Sequence, residues 1–325
     1  MTKAIVMNET GGPEVLRWVD FEPGEPGDGQ VLVRHEAVGL NYIDVYHRTG
    51  LYPLPSLPAV PGLEGAGVVE SVGPNVAEFA PGDRVAYAGV PAGAYAQIRT
   101  IPAHRLVKLP NPISFEQGAA MMLQGMTARY LLRGCYDVRE GTWILIHAAA
   151  GGVGTIVCQW AKYLGAQVIG TVGSSEKAQK ATAHGCDHPI VYTEENFADR
   201  VQEITGGRGV DVVYDSVGQA TFLQSLTCLR PMGMMVSFGQ SSGPVAPLDL
   251  KALAANGSLF LTRPSLMNYT AKREDLLAHA QDLFDVVQKG AVTIEVRQKY
   301  SLKEAAQAHQ DLEDRKTTGS TILLP

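Results

Sequence analysis

The chain has 325 residues and a mass of 34.8 kDa, a length that suggests two domains. With 45% apolar and 18% charged residues it is not a disordered chain, and no apolar run is long enough to cross a membrane. A net charge of −6 without a Lys/Arg cluster makes nucleic acid a poor electrostatic partner. Residues 125–265 hold 11 basic and 11 acidic side chains, so the flanks carry the whole excess. Four cysteines stand 23, 28 and 42 positions apart with no CxxC and no His at metal spacing, and are read as buried thiols. The N-terminus leads straight into a strand-like stretch, and the expected location is the cytoplasm. The 35 glycines follow no Gly-X-Y period and belong at turns and close backbone approaches.

Residues 1–110 are rich in Gly and Pro. Short alternating apolar runs at 3–8, 30–38, 67–72, 84–87 and 94–98 predict strands, as in a small barrel or sandwich. Ser114 with Gln117 three residues on is a capping-box signature for a helix start. From 140 to 262 the pattern alternates. Strands are expected at 142–149, 167–172, 190–192, 210–215, 234–238 and 258–261, with helices at 155–164 and 175–184. Such alternation predicts an α/β fold with a doubly wound parallel sheet. The tail reads helix 272–288, with Gly290 as C-cap, then strand 294–300, helix 302–314 and strand 320–324. The expected domains are 125–265, Rossmann-like, and 1–124 plus 266–325, β-rich, with the site in a cleft between them.

The strongest motif is Ala149-Ala150-Gly151-Gly152-Val153-Gly154, after a strand and before a helix. Read as G-x-G-x-x-G it has Ala149 in the first glycine's place. Gly151 lets backbone approach a pyrophosphate, Gly154 lets the helix pack closely, and the helix N-terminus attracts the phosphates. An NAD site usually carries an acid at the end of the second strand. Here that strand ends in Gly173-Ser174-Ser175, and Ser174 and Lys177 suit a 2′-phosphate, which favours NADPH; Glu176, turned inward, is the NAD alternative.

Several further motifs extend this pattern: Gly11-Gly12-Pro13-Glu14-Val15-Leu16, Asn41-Tyr42-Ile43-Asp44, Gly62-Leu63-Glu64-Gly65-Ala66-Gly67, Gly82-Asp83-Arg84-Val85, Val213-Tyr214-Asp215-Ser216-Val217-Gly218 and Ser237-Phe238-Gly239. With the 148–154 loop, they make the chain resemble, over essentially its whole length, the zinc-free quinone oxidoreductase (zeta-crystallin-like) branch of the medium-chain dehydrogenase/reductase superfamily, nearest its bacterial NADPH:quinone reductases. The resemblance implies a GroES-like domain, in two parts, around the Rossmann sheet. Zinc alcohol dehydrogenases carry Cys in the Asn41 stretch and His where this chain has Leu63, and they have a four-cysteine lobe after Val85 that is missing here. The implied chemistry is metal-free hydride transfer from NADPH to a quinone.

The resemblance also assigns residues. Asn41 and Tyr46 lie by the nicotinamide and substrate, and Thr127 opens the first helix of the cofactor domain. Gly152 and Val153 hold the pyrophosphate, while Gly173, Ser174, Lys177 and Tyr192 surround the 2′-phosphate. Ser216, Phe238, Gly239 and Ser241 cover the dinucleotide, Phe260 and Arg263 follow strand six, and Arg315 reaches back across the cleft. Tyr46 and Tyr52 are read as pocket lining with a phenol as possible proton donor, or equally as loop packing. Asn41 and Asp44 also suit helix caps. Glu64 is read as a buried ion-pair or hydrogen-bonding residue, and His147 as a satisfied core histidine. Three rival functions stand beside quinone reduction: an NADPH-dependent enone or alkenal reductase, an NADPH-binding protein of crystallin or RNA-binding type with little turnover, and an NAD-dependent enzyme. The expected assembly is a homodimer, a family trait, by strand pairing at 258–261.

Overall fold

The computed structural model describes residues 2–325. The chain divides into two compact units: one comprises residues up to Met126, Tyr269–Gln288 and Ile294–Pro325, the other Thr127–Asn268 and Lys289–Thr293.

The first unit begins with a two-stranded antiparallel sheet, β1 (Thr2–Val6) and β2 (Arg17–Phe21). Then come β3 (Gln30–Leu40), α1 (Tyr42–Thr49), β4 (Glu64–Val72), β5 (Arg84–Ala88), β6 (Ile98–Pro102), β7 (Val107–Lys108) and α2 (Phe115–Tyr130), the last running across the division between units. The Ser114–Gln117 capping box forms as expected, with the Gln117 N–H donating to Ser114 Oγ and the Ser114 N–H to Gln117 Oε1, both at 3.1 Å.

In the second unit all six strands are parallel, because each returns through a crossover. They are β8 (Trp143–Ile146), β9 (Gln167–Val172), β10 (His188–Val191), β11 (Val210–Asp215), β12 (Leu229–Ser237) and β13 (Phe260–Thr262), linked in turn by α3 (Gly152–Tyr163), α4 (Ser175–Ala183), α5 (Phe197–Ile204), α6 (Phe222–Leu226) and α7 (Lys251–Ala255). The order β10-β9-β8-β11-β12-β13 reverses beside β8, where doubly wound sheets bind ligands. Leu145, Ile169, Ile190, Val213 and Met235 form its core with Val201 and Phe222 from the helices.

The chain continues through α8 (Leu266–Tyr269) and α9 (Arg273–Gln288) to β14 (Val296–Ser301), α10 (Ala305–Glu313) and β15 (Ser320–Leu324). β15 pairs antiparallel with β3, so the tail completes a seven-stranded sheet of order β14-β15-β3-β4-β5-β7, with β6 also on β3. Val31, Val33, Val69, Val85, Ile101 and Leu323 pack its interior.

Two expectations need correction, and one strand, β2, was not expected. The strand expected at 94–98 is β6, four residues later, because Ala94 and Tyr95 donate instead to the carbonyls of Gly62 and Pro61 in a turn. β2 has no apolar alternation, and its pairing with β1 forms it. The helix expected at 302–314 opens with a 3-10 turn, Leu302–Glu304.

Candidate functional site

In the second unit β8 runs into a turn in which Ala148 takes a left-handed φ of 55° and its carbonyl accepts from the Gly151 N–H (2.9 Å). Gly151 is the N-cap of α3 and has no side chain with which to cap it. The first-turn N–H groups of Gly152, Val153 and Gly154 have no intrahelical partner, and the positive dipole end backs them. Ser174 and Asn196 close α4 and α5 with side-chain caps. The start of α3 is thus built for an anion such as a pyrophosphate. A Cβ on residue 154 would stand 2.3 Å from the Ala148 carbonyl oxygen, so only glycine fits. Ala149 is accommodated because residue 170 is glycine: a Cβ there would come within 2.6 Å of the Ala149 methyl.

Beyond β9, Gly173 makes room for Tyr192, whose phenol oxygen would stand 2.9 Å from a Cβ at 173. Ser174 Oγ accepts from the Lys177 N–H (3.3 Å), which fixes Lys177 in the first turn of α4. Glu176 pairs with Lys180 (2.7 Å) on the solvent face. At the end of β11, Asp215 Oδ1 accepts from the Val217 and Gly218 N–H groups and the Thr221 hydroxyl, and so shapes the Ser216 loop. The Phe238 N–H donates to the Asp215 carbonyl (2.8 Å), the Ser241 N–H to that of Ser216 (3.1 Å), and Arg263 to those of Ser237 (2.8 Å) and Gly239 (3.2 Å). Ser216, Phe238, Gly239, Ser241 and Arg263 are thereby gathered at the carboxyl edge of the sheet. His147 bonds Thr171 Oγ1 and Ser225 Oγ, both at 2.8 Å, as a core histidine.

Two site residues sit elsewhere than expected. Thr127 lies within the last turn of α2, since that helix begins at Phe115 rather than in the second unit. Phe260 does not follow the sixth strand but starts it; it pairs with Met234, is 58% exposed, and lies at the end of β13 away from Arg263.

In the first unit, Asn41 is the N-cap of α1, and its N–H donates to Asp44 Oδ2 (2.9 Å). Its side chain donates to Glu64 Oε2 (2.6 Å) and accepts from Gln124 Nε2 (3.1 Å). Burial pushes the Glu64 carboxyl up to about 8 and that of Asp44 up to about 7. Glu64 is therefore the buried hydrogen-bonding residue that was expected. Tyr46, one turn along α1, packs edge-on against Tyr42 and Tyr52, with ring centroids 5.3 and 5.0 Å apart. Arg315 adopts a left-handed φ of 59° after α10, and its charge opposes the upward shift that burial imposes on the Tyr42 phenol. Among the described residues no His, Cys, Asp and Glu gather as three or more metal donors.

Sequence reasoning missed two buried networks. Gln124 and Ser320 continue the Asn41–Glu64 contact (Ser320 Oγ to Gln124 Oε1, 2.7 Å). Tyr95 links Asp44 (3.1 Å) to His309 (3.0 Å), and Arg48 adds Glu313 (2.8 Å). Their members lie up to 279 positions apart, and the signal available was only polar residues set within apolar runs.

Comparison with known proteins places these features. Residues 27–111 match the family model described as "Alcohol dehydrogenase GroES-like domain", and residues 152–280 the one described as "Zinc-binding dehydrogenase". A quinone oxidoreductase of Pseudomonas aeruginosa is 53% identical over 325 residues, covering 100% of both chains. A 2-haloacrylate reductase of a Burkholderia species is 46% identical, covering 100% of this chain and 99% of its own. The crystal structure of Escherichia coli quinone oxidoreductase complexed with NADPH superposes with a TM-score of 0.98 at 49% identity, covering 99% of this chain and 100% of that one.

Proposed function

Because the chain belongs to the quinone oxidoreductase family of the medium-chain dehydrogenase/reductase superfamily, we propose that it is an NADPH-dependent oxidoreductase that reduces quinones without zinc. The observation that carries the reading is the uncapped start of α3 together with Ser174 and Lys177 at the end of β9, a donor set for a pyrophosphate and a 2′-phosphate. The solved relative with NADPH supports the same cofactor. Leu63 offers no metal ligand, and a quinone accepts hydride without a Lewis acid.

NADPH supplies the hydride when bound. The residues of this chain bind and orient: Gly152 and Val153 hold the pyrophosphate, and Gly173, Ser174, Lys177 and Tyr192 the 2′-phosphate. Ser216, Phe238, Gly239, Ser241 and Arg263 shape the loops over the dinucleotide. Asn41 and Tyr46 orient the nicotinamide and substrate, and Tyr46 or Tyr52 supplies a proton to the reduced acceptor. Positioning of this kind is worth orders of magnitude in rate. A second reading, reduction of an activated double bond, is favoured by the 46% identity to the 2-haloacrylate reductase. The reading includes a cytoplasmic homodimer with no nucleic-acid or membrane partner.

The test is oxidation of NADPH and of NADH with 1,4-benzoquinone, 9,10-phenanthrenequinone and an enone. Turnover with NADPH and a quinone is expected. Tight NADPH binding without turnover on any acceptor refutes the enzyme, faster use of the enone favours the second reading, and equal use of NADH refutes the cofactor preference.

A further inference from the structure

The Asn41 carboxamide is held at both ends by a relay of buried side chains. Ser320 Oγ on β15 donates to Gln124 Oε1 (2.7 Å), Gln124 Nε2 on α2 donates to Asn41 Oδ1 (3.1 Å), and Asn41 Nδ2 donates to Glu64 Oε2 on β4 (2.6 Å). Glu64 Oε1 is anchored separately by the Leu123 N–H (2.8 Å). The backbone makes room for this carboxyl: a Cβ on residue 39 would lie 2.3 Å from Glu64 Oε2.

We infer that Glu64 is a positioning residue that selects, through this relay, which edge of the Asn41 carboxamide meets a ligand. The inference rests on the role given to Asn41 above. Two polarities satisfy every member of the relay. With Glu64 accepting, the hydrogen bonds run from Ser320 through Gln124 and Asn41 to Glu64, as the structure shows. With Glu64 protonated, its O–H donates to Asn41 Oδ1, Asn41 Nδ2 to Gln124 Oε1, and Gln124 Nε2 to Ser320 Oγ. The Ser320 hydroxyl then donates to the Ala120 carbonyl, already 3.0 Å away. Half-turns of the two carboxamides interconvert the arrangements. In the first, Asn41 Oδ1 also meets the Asp44 N–H of the capping box, and Nδ2 keeps one N–H to spare; in the second, the Asp44 N–H keeps the Asn41 carbonyl (2.9 Å), and Oδ1, now in the place of that spare N–H, keeps a lone pair. A ligand oxygen that meets a donor in one polarity meets an acceptor in the other.

Both polarities are accessible near neutral pH, because burial lifts the Glu64 carboxyl to about 8 against the Asn41 and Leu123 hydrogen bonds, with Asp44 of α1 adding to the rise. The other ionisable groups facing it are Tyr87 of β5 and Tyr95 before β6, both phenols raised by burial. α2 offers it only backbone N–H groups and the neutral Gln124, and β3 offers Gly39.

The test is a mutant cycle on the full chain with NADPH and 1,4-benzoquinone. Glu64→Gln preserves shape but neither titrates nor imposes a polarity. It is expected to lower kcat about 10-fold with little change in KM for the quinone, and to abolish an inflection of kcat near pH 8, the position set by Glu64. In an Asn41→Ala background it should have no further effect. NADPH affinity, read from nicotinamide fluorescence without turnover, should follow the same pH pattern. Melting curves identify any variant that fails to fold; Gln124→Leu, which cuts the relay on the other side of Asn41, then takes the place of Glu64→Gln in the cycle. Additive effects, or an inflection retained in Glu64→Gln, overturn the inference and leave the proposed function standing. An Asn41→Ala variant unchanged in kcat and affinity overturns both the role of Asn41 and the inference; a wild-type chain that binds no NADPH overturns the function and the inference together.

Discussion

Ser174 has two capacities, and α4 uses one. Its oxygen accepts from the Lys177 N–H, while its own hydrogen is left to donate elsewhere. The same hydrogen bond holds Lys177 in the first turn, where the dipole already favours an anion. Glu176, the residue that would favour a free 2′-hydroxyl, is engaged by Lys180, which also lowers its carboxyl below the usual range. The discrimination between cofactors is therefore expected to reside largely in one cation. Lys177→Ala should raise KM for NADPH roughly 10- to 100-fold, the loss of one charge-assisted hydrogen bond, and leave KM for NADH nearly unchanged. Steady-state kinetics with both cofactors check this, and a parallel rise for both refutes it. Ser174→Ala should in addition cost about 1 kcal/mol of stability through the lost cap.

At the scale of elements, α1 and α10 are joined through buried polar groups. Tyr95 gives its hydroxyl proton to Asp44, so His309 donates from Nε2 to the Tyr95 oxygen, and Nδ1 accepts from Arg48 (3.4 Å). Burial, with Arg48 adding to it, holds His309 down to about 3, whereas burial lifts Asp44 to about 7 and leaves its Oδ1 without a partner. The signs are opposite. Folded Asp44 keeps a proton that the unfolded chain releases near its ordinary 3.8, so stability falls as pH rises from about 4 to about 7. Folded His309 stays neutral where the unfolded chain is protonated, so stability falls as pH drops from 6.5 towards 3. Asp44→Asn removes only the first loss: its melting temperature relative to wild type should climb across pH 4 to 7 and level off above. Melts over a pH series check this, and a pH-independent difference refutes it. None of this coupling was legible in the sequence, because it joins single polar residues from α1, the 95 turn and α10. The elements themselves were legible where apolar periodicity is strong: 167–172, 210–215 and 320–324 match their strands end to end. They were illegible where pairing rather than side chains makes the strand, as in β2, and where turn hydrogen bonds capture an apolar run, as at 94–96.

At the scale of the molecule, the acidic excess and the balanced charge lie in different parts of the chain. The phosphate turn was legible because its βαβ context is local, while the Asn41 relay was not, because its members span residues 41 to 320. The parallel sheet ends at β13, three residues long, with nothing paired on its outer edge among the described residues. Phe260 and Leu261 on that strand are exposed, as is Met232 in the preceding one. An open, apolar edge invites pairing with a second copy, and a two-fold axis closes it. Residues 125–265 carry no net charge, so two such edges approach without the repulsion that the acidic flanks would impose. The full chain should scatter light on a sizing column as twice 34.8 kDa. Leu261→Lys, which places a charge on the edge, should halve that mass while NADPH affinity is retained, since the hydrogen bonds to the proposed cofactor loops come from Arg263, beyond the end of β13. A wild-type monomer, or a Leu261→Lys dimer, refutes pairing at this edge.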